Sequence, residues 1–429
     1  MTLWGRLTGY SVERQIKPIR SPKSARVEVP RDDRTELILA LGRGLHQAGL
    51  PTDTTEETLH DVARALGVAV QVNVLPTSLT LAVGPPFSQQ LVILRLEPGK
   101  LHLRKLALLE GVVGAVRRGA PASDALADVT RIDTAVAPDP PAATVAAYAV
   151  LSCGAAMLLG GATPEIAVAG VDGVAIGAIA ALAQRSRRVD RMYEISAAFV
   201  ATLIIGAWDR FLMPTALYVA IVAALVQLLP GYSLTTALSE LANRNLVSGT
   251  ARLGGVFVTL LSLGCGFALA AGLMGNTLFS GPTVSPGHTT AGTTAAGAVL
   301  MALGIAAILH ARYRDLGWII ASCVATITLA RLFAAAGITL AGPFATAFCI
   351  GLATNLASRY LRIPSAVVLV PSLLVLVPGS ISYESLLYVF QADATDALSL
   401  AARALMTAIL IVAGFLTSQL LAPPVRRAE

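Results

Sequence analysis

Residues 229–231 read Leu-Pro-Gly within LLPGYSLTTALSELANRNLVSGTARL (228–253), and residues 377–379 read Val-Pro-Gly within RIPSAVVLVPSLLVLVPGSISYESL (362–386). The two Pro-Gly steps lie 148 positions apart. The same offset, to within a few residues at the ends, carries five apolar stretches (143–163, 166–184, 192–208, 211–229 and 253–274) onto five more (291–310, 316–331, 333–355, 362–383 and 397–421). Crossing a bilayer takes about 20 apolar residues, so each stretch reads as a span, the third and seventh being short. Prolines inside the later spans (Pro343, Pro364, Pro371, Pro378) are tolerable where neighbouring helices re-satisfy the backbone. Five spans per half is an odd number, so the second half lies upside down relative to the first. Inverted repeats of this kind are the construction of many secondary transporters, with the binding site where the halves meet.

The whole composition agrees with membrane embedding. The chain has 429 residues, 55% hydrophobic and only 14% charged, with mean hydropathy +0.69, whereas soluble domains carry roughly 25% charged residues. The charge is uneven: residues 1–143 hold 32 charged side chains, and residues 144–429, twice as long, hold 26. The expected fold class is therefore an α-helical integral membrane protein, ten transmembrane helices as a 5+5 inverted repeat preceded by a small cytoplasmic α/β domain. Its parts are a disordered basic arm (1–32), the α/β domain (33–140), a first five-helix repeat (141–275), an outer loop (276–290), a second five-helix repeat (291–422) and a cytoplasmic tail (423–429).

Within the N-terminal domain, Leu37, Leu41 and Leu45 mark a helix stopped by Gly49 and Pro51. TTEETLHDVARALGV reads as a second helix with Thr54 or Thr55 as N-cap and acids in its first turn. VAVQVNVL, SLTLAV and LVILRL are short, β-rich and separated by turn residues, hence a small sheet, followed by two more helical stretches. With this domain in the cytoplasm, twelve arginines fall on inner loops and the tail, among them Arg185, Arg187, Arg188, Arg191, Arg244, Arg252, Arg312, Arg314, Arg359 and Arg362. Only Arg210, Arg331 and Arg403 fall outside or in the last span, and the outer loop before it is acidic (Glu384, Asp393, Asp396). The positive-inside rule thus puts both termini in the cytoplasm.

Several classes drop out. The net charge of +6 is spread as loop punctuation with no dense basic stripe, so nucleic acid is not an expected partner. Cys153, Cys265, Cys323 and Cys349 are isolated in apolar runs, which suits small buried side chains and no disulfide framework or zinc site. His46, His60, His102, His288 and His310 show no ligand spacing, so no metal and no cofactor is expected. No nucleotide-binding or nucleophile motif stands in its required context, which argues against an ATP-driven pump and against an enzyme. No apolar h-region precedes the first polar stretch, so no cleavable signal peptide is expected.

Each Pro-Gly interrupts a span and starts a new helix carrying a serine, Ser233 or Ser380, with Thr235 one residue beyond Leu234. Pro230, Gly231, Ser233, Thr235, Pro378, Gly379 and Ser380 are therefore the candidate substrate-binding residues. A broken helix offers unpaired N–H groups and a positive dipole end that suit a carboxylate. Glu240 and Arg252 form a candidate gating or substrate pair. Asp172, in VAVAGVDGVAIGA, is the carboxylate furthest inside a span, and an ionisable group at depth is a functional candidate by default. Asp172 and Glu240 are the candidates for proton coupling. Glu194 at a cytoplasmic span end, and Asp209, Arg210 and Arg331 at outer span boundaries, read as interfacial anchors. The glycines crowding the first two spans (Gly154, Gly160, Gly161, Gly170, Gly173, Gly177) read as close-packing positions.

Three blocks, RGLHQAGLPTDTTEETLHDVARALGV (43–68) and the two Pro-Gly segments quoted first, resemble the bacterial threonine/serine exporter (ThrE-type) family. In some bacteria the two halves are similar to separate paired proteins; here they look fused. The resemblance implies proton-driven efflux of threonine, serine or similar small polar metabolites across the cytoplasmic (inner) membrane. Its pattern positions map onto Pro230, Gly231, Leu234, Thr235, Leu241, Gly249 and Arg252, and onto Pro364, Pro378 and Gly379. Where the family often has Asp before Leu241, this chain has Glu240. Paired relatives are associated with dicarboxylate export, so succinate-like solutes are an alternative substrate, and a gated solute channel with a cytoplasmic sensor domain is an alternative mechanism. The expected partners are the small metabolite, protons and the lipid bilayer, with a second copy of the chain as a further candidate.

Overall fold

The computed structural model describes residues 32–135 except 86 and 98, then 140–274, 290–361, 363–376, 379–390 and 394–422. The expectations for the basic arm up to residue 31, most of the outer loop with His288, the tail, Arg362, Asp393 and Pro378 fall outside these residues.

The N-terminal unit comprises α1 (Asp33–Gln47), α2 (Thr52–Leu66), strands β1 (Val70–Leu75), β2 (Ser78–Val83) and β3 (Gln90–Arg95), α3 (Leu103–Arg117) and α4 (Ala122–Ala135). The strands form an antiparallel sheet in the order β1-β2-β3, with Val72 opposite Leu81 and Thr80 opposite Ile93. Alternation sends Val74, Leu79 and Leu81 inward, against Leu37, Leu41, Leu45, Leu59, Val62, Leu109 and Val129 of the helices, so one face of the sheet closes a common core. Asp32 caps α1, its carboxylate accepting from the Arg34 N–H. The N-cap expected at Thr54 or Thr55 is corrected: α2 starts at Thr52, with Pro51 before it. Its first N–H finds an acceptor far away in sequence, described below.

The remainder is helical: α5 (Pro141–Leu158), α6 (Thr163–Ala183), a short turn α7 (Arg187–Asp190), α8 (Tyr193–Phe211), α9 (Leu217–Leu225), α10 (Gly231–Ala242), α11 (Leu246–Leu273), α12 (Ala291–Ile308), α13 (Leu316–Ala335), α14 (Gly342–Tyr360), α15 (Ser365–Leu376), α16 (Gly379–Phe390) and α17 (Ala394–Leu421). Among the described residues, seven helical segments are long and apolar enough to cross a membrane. Several expected span ends move: α11 starts at Leu246 and not at 253, which puts Arg252 in a helix and not in an inner loop, and α13 runs on to Ala335 and is not short. The segment at 211–229 is the nine-residue α9, because α8 runs on to Phe211 and Asp209 then closes the turn by accepting from the Thr215 N–H at 2.8 Å. The one at 333–355 begins at Gly342, because Gly337, at φ +77°, ends α13 and lets Ile338 N–H donate back to the Phe333 carbonyl.

Packing of the two runs of helices matches pair by pair. α8 lies against α11 and α14 against α17; α10 against α11 and α16 against α17; α5 against α6 and α12 against α13. A Cβ on Gly266 of α11 would stand 2.3 Å from the Ile195 carbonyl of α8, and one on Gly414 of α17 would stand 2.3 Å from the Phe344 carbonyl of α14. These two glycines, which permit backbone-to-backbone approach, are 148 residues apart. The runs meet chiefly along α5 and α12, where a Cβ on Gly154 would lie 2.5 Å from the Met301 nitrogen and one on Gly304 would lie 2.6 Å from Leu151 Cβ. Gly154 is thus a packing position, as read from the sequence.

Three connections of the helical part and the start of α15 touch the N-terminal unit and so lie on one face of the bundle. Lys100 Nζ reaches Asp190 at 3.2 Å; Thr52 and Asp53 bond to the α10–α11 connection; Leu103 N–H donates to the Leu309 carbonyl at 2.9 Å, with His102 and His310 rings stacked at 4.4 Å; and Ala366 packs on the N-terminal core.

Candidate functional site

The first Pro-Gly candidate sits where a helix is interrupted: α9 ends at Leu225 and α10 starts at Gly231. At the second, residues 377 and 378 lie outside the described ones, with α15 (to Leu376) before them and α16 (from Gly379) after them. Gly379 meets the first interruption: a Cβ there would lie 3.1 Å from Leu229 Cβ and 3.4 Å from the Gly231 nitrogen. α10 and α16 each pack on the opposite run. Tyr383 of α16 is fully buried in the core that α5, α6, α8, α9 and α11 build, and Glu384 beside it accepts from the Tyr218 hydroxyl of α9 at 3.2 Å. Glu384 therefore belongs to α16, which corrects its expected place in an outer loop.

Beside this contact lies a central cavity of about 260 Å³, lined by Leu229, Gly231, Tyr232, Gly379, Ser380, Gln227, Thr326 and Arg331 with apolar residues of α5, α9, α13 and α15. It is smaller than the roughly 300–1,000 Å³ typical of sites for drug-sized ligands, and so fits a small metabolite. Leu374, Val375 and Leu376 of α15 face the same space, and at the start of α10 the Gly231 N–H donates to the Leu229 carbonyl at 2.8 Å. Of the sequence candidates, Gly231, Gly379 and Ser380 line it.

The other candidates lie elsewhere. Thr235 lines a second, inner cavity of about 520 Å³ between the N-terminal unit and α10, α14, α15 and α17, and its hydroxyl donates to the Gly231 carbonyl at 3.3 Å. Ser233 lines neither cavity. Tyr232 borders both. Asp53, Glu57, Glu110 and Glu240 give the inner cavity an acidic wall with Thr236, Ser239, Asn243 and Asn355 as polar neighbours.

Glu240 and Arg252, the candidate pair, do meet. Arg252 donates to both carboxylate oxygens, Nε to Oε2 and Nη2 to Oε1, each at 3.0 Å. Glu240 is wholly buried, and Oε1 also accepts from the Thr52 hydroxyl at 3.0 Å and the Thr52 N–H at 3.3 Å. A carboxylate 188 residues away therefore caps α2, which explains why no local capping signal marks its start. Asn245 Nδ2 donates to the Thr52 hydroxyl, and Asn243 Nδ2 to Asp53. The pair is a latch holding the N-terminal unit over the inner cavity.

Asp172 is the tenth of the 21 residues of α6 and fully buried. Both its carboxylate oxygens are buried without a hydrogen-bond partner. Val168 and Ile176, one turn to either side, belong to the core formed with α8 and α9. Asp172 lines neither cavity.

Sequence reasoning did not single out Gln227, Thr326 and Tyr232 at the central cavity or Glu110 at the inner one, since no spacing rule brings residues of separate elements together. Arg331, expected as a headgroup anchor, is exposed, four residues before the end of α13, and borders the central cavity. In Glu110, burial pushes the carboxyl up to about 7, with Arg312 opposing more weakly. The folded state thus favours the protonated acid, and stability falls as pH rises from the ordinary 4.5 through about 7. Glu110→Gln is therefore expected to raise the thermal midpoint at pH 8 and to leave it unchanged at pH 4, measured on the purified protein in detergent.

Family models match in two consecutive pieces: residues 36–274 match one described as putative threonine/serine exporter, and residues 294–421 match one described as threonine/serine exporter, ThrE. No curated protein and no solved structure matches the chain. The matches and the apolar helices together make this a multi-pass membrane protein.

Proposed function

The chain belongs to the threonine/serine exporter family, and from that premise we propose that it exports threonine, serine or closely similar small polar metabolites by proton antiport. It does so through ten spans arranged as a 5+5 inverted repeat. The spans are α5, α6, α8, the broken α9–α10 and α11, then α12, α13, α14, α15–α16 and α17. The observation that carries the reading is the approach of Gly379 in the second run to the α9–α10 break at Leu229–Gly231 in the first, beside a metabolite-sized cavity. A discontinuous helix at a repeat interface is the usual architecture of a secondary-transporter site.

Further support comes from the matched helix pairs and from Gly266 and Gly414, equivalent positions making equivalent contacts. The N-terminal unit lies in the cytoplasm, because the loops that touch it carry the clustered arginines. The membrane is the bacterial cytoplasmic membrane, with both termini inside.

In the proposed cycle, substrate enters the inner cavity past the acidic wall, passes Tyr232 and binds in the central cavity, where Ser380 offers a hydroxyl partner. The Glu240–Arg252 latch couples the N-terminal unit to inner opening. Asp172 carries the proton: its carboxylate is buried at mid-helix with no bonding partner, so it is stable there only when neutral or when the surrounding helices rearrange.

The test is counterflow in proteoliposomes. Vesicles loaded with unlabelled threonine should take up labelled threonine transiently above equilibrium, which a channel cannot do; simple equilibration would end the carrier reading. Asp172→Asn should retain this exchange and lose acceleration by an imposed pH gradient. Unaltered gradient response would remove Asp172 from the cycle.

A further inference from the structure

We propose that Glu165 is the outer latch of the carrier: its carboxylate holds the start of α9 against the α5–α6 turn and so closes the central cavity on the side away from the N-terminal unit. The assignment rests on the transport reading above and adds the device that shuts the second side. Glu165 is the third residue of α6 and is buried. Its Oε2 accepts from the Ala162 N–H at 2.8 Å, a local bond that caps its own helix. Its Oε1 accepts from the Ala216 N–H at 2.7 Å, 51 residues on, at the residue that precedes α9. The second bond is the one that joins separate elements.

Its sidedness follows from the other ends of the same helices. α6 ends next to the connection that carries Asp190, and α10 ends next to the one that carries Asn243 and Asn245, both of which touch the N-terminal unit. The starts of α6 and α9 therefore lie at the opposite face. There the α5–α6 turn closes directly on α9: a Cβ on Gly161 would lie 2.9 Å from Glu165 Cβ and 3.3 Å from Val219 Cγ1. Further in, Ala155 and Leu158 of α5 and Val222 of α9 line the central cavity. A swing of α9 away from α5 would open that wall outward.

The surrounding bonds permit such a swing. The break after α9 lets it move without α10, whose far end is tied separately by Glu240 to Arg252 and Thr52. Each part of the broken helix thus carries a buried carboxylate bond at the end away from the break. On its other side α9 is bonded to the second run, the Tyr218 hydroxyl donating to Glu384 of α16 at 3.2 Å, so α9 released from Glu165 stays with α16. Asp209 accepts from the Thr215 N–H at 2.8 Å and keeps the preceding turn closed on α8, which gives α9 a pivot. A bond from a backbone N–H to a carboxylate is roughly twice as strong as one between neutral groups, so its loss shifts the balance between closed and open measurably.

The test is the accessibility of a Val222→Cys probe in a background whose four native cysteines are replaced by alanine. A membrane-impermeant methanethiosulfonate is added to right-side-out or to inverted membrane vesicles. Glu165→Gln sets an amide N–H against one of the two backbone donors. Ala216→Pro deletes the one donor, at a φ of −71° that proline adopts, and leaves Glu165 with its local cap. Either variant should raise labelling from the outside on the order of tenfold, a shift of about 1.4 kcal/mol in the balance between closed and open, and should lower labelling from the inside. A rise on both faces would make Glu165 a support of the fold, and unchanged outside labelling in A216P would mean that the bond closes nothing; either result overturns the assignment. Threonine counterflow in the same vesicles judges the transport reading separately. A wild type without overshoot ends that reading, whereas labelling that still moves in opposite senses on the two faces upholds the latch.

Discussion

Replacing Glu240 by alanine is expected to destabilise the chain by about 3–5 kcal/mol, the range for breaking one partner out of a buried ion pair. The carboxylate is fully buried and takes four bonds, two from Arg252 and two from Thr52. Its removal strands a guanidinium that is only partly exposed and leaves the first N–H of α2 without an acceptor. Because the desolvation penalty, more than the attraction, dominates such pairs, Glu240→Leu with Arg252→Met should recover most of the loss. Thr52→Val, which keeps the pair and deletes one donor, should cost about 1 kcal/mol. Thermal midpoints of the purified variants, combined as a double-mutant cycle, give the coupling directly. Additive single losses would mean the latch is a crossing of independent bonds. Proteolysis of the N-terminal unit should also accelerate in E240A, since that unit loses its cap and its tie together.

The largest functional effect is expected at Tyr232. Its ring borders the inner and central cavities, and Tyr232→Ala should join them into one passage. Passive efflux of labelled threonine from proteoliposomes is expected to rise on the order of tenfold, a barrier lowered by about 1.4 kcal/mol. The counterflow overshoot should disappear, because a solute able to cross without the halves rocking no longer reports exchange. Tyr232→Phe keeps the ring and should keep the overshoot. An alanine variant with unchanged passive efflux and intact overshoot would show that the partition lies elsewhere, for instance where α10 meets α16.

What was legible in the sequence was periodic or punctuated. The three strands begin and end within two residues of the alternating stretches, because turn residues bound them and the inward face is apolar. The interruption between α9 and α10 was visible because Pro-Gly does there what it does in any span: proline removes a donor and glycine frees the turn. Contacts between distant segments were not visible. Glu240 reads locally as one acid in a polar stretch, and only the fold brings Thr52 onto it. Hydropathy also placed the helix starts near 211 and 333 too early, since the hydrogen bonds that close the turns at Asp209 and Gly337 leave no hydrophobic signature. The candidate site was split for the same reason: Thr235 and Glu240 follow Gly231 within ten residues, but a turn of helix carries them from the central cavity to the inner one.

The central claim, proton-coupled export of hydroxy-amino acids, is tested most directly by uptake of labelled threonine into inverted membrane vesicles containing the protein, with and without an imposed pH gradient. The account predicts accumulation above the external concentration only when the vesicle interior is acidic, competed by serine and abolished by a protonophore. Equal filling with and without the gradient, or no uptake by a well-folded preparation that does take up succinate, would contradict it.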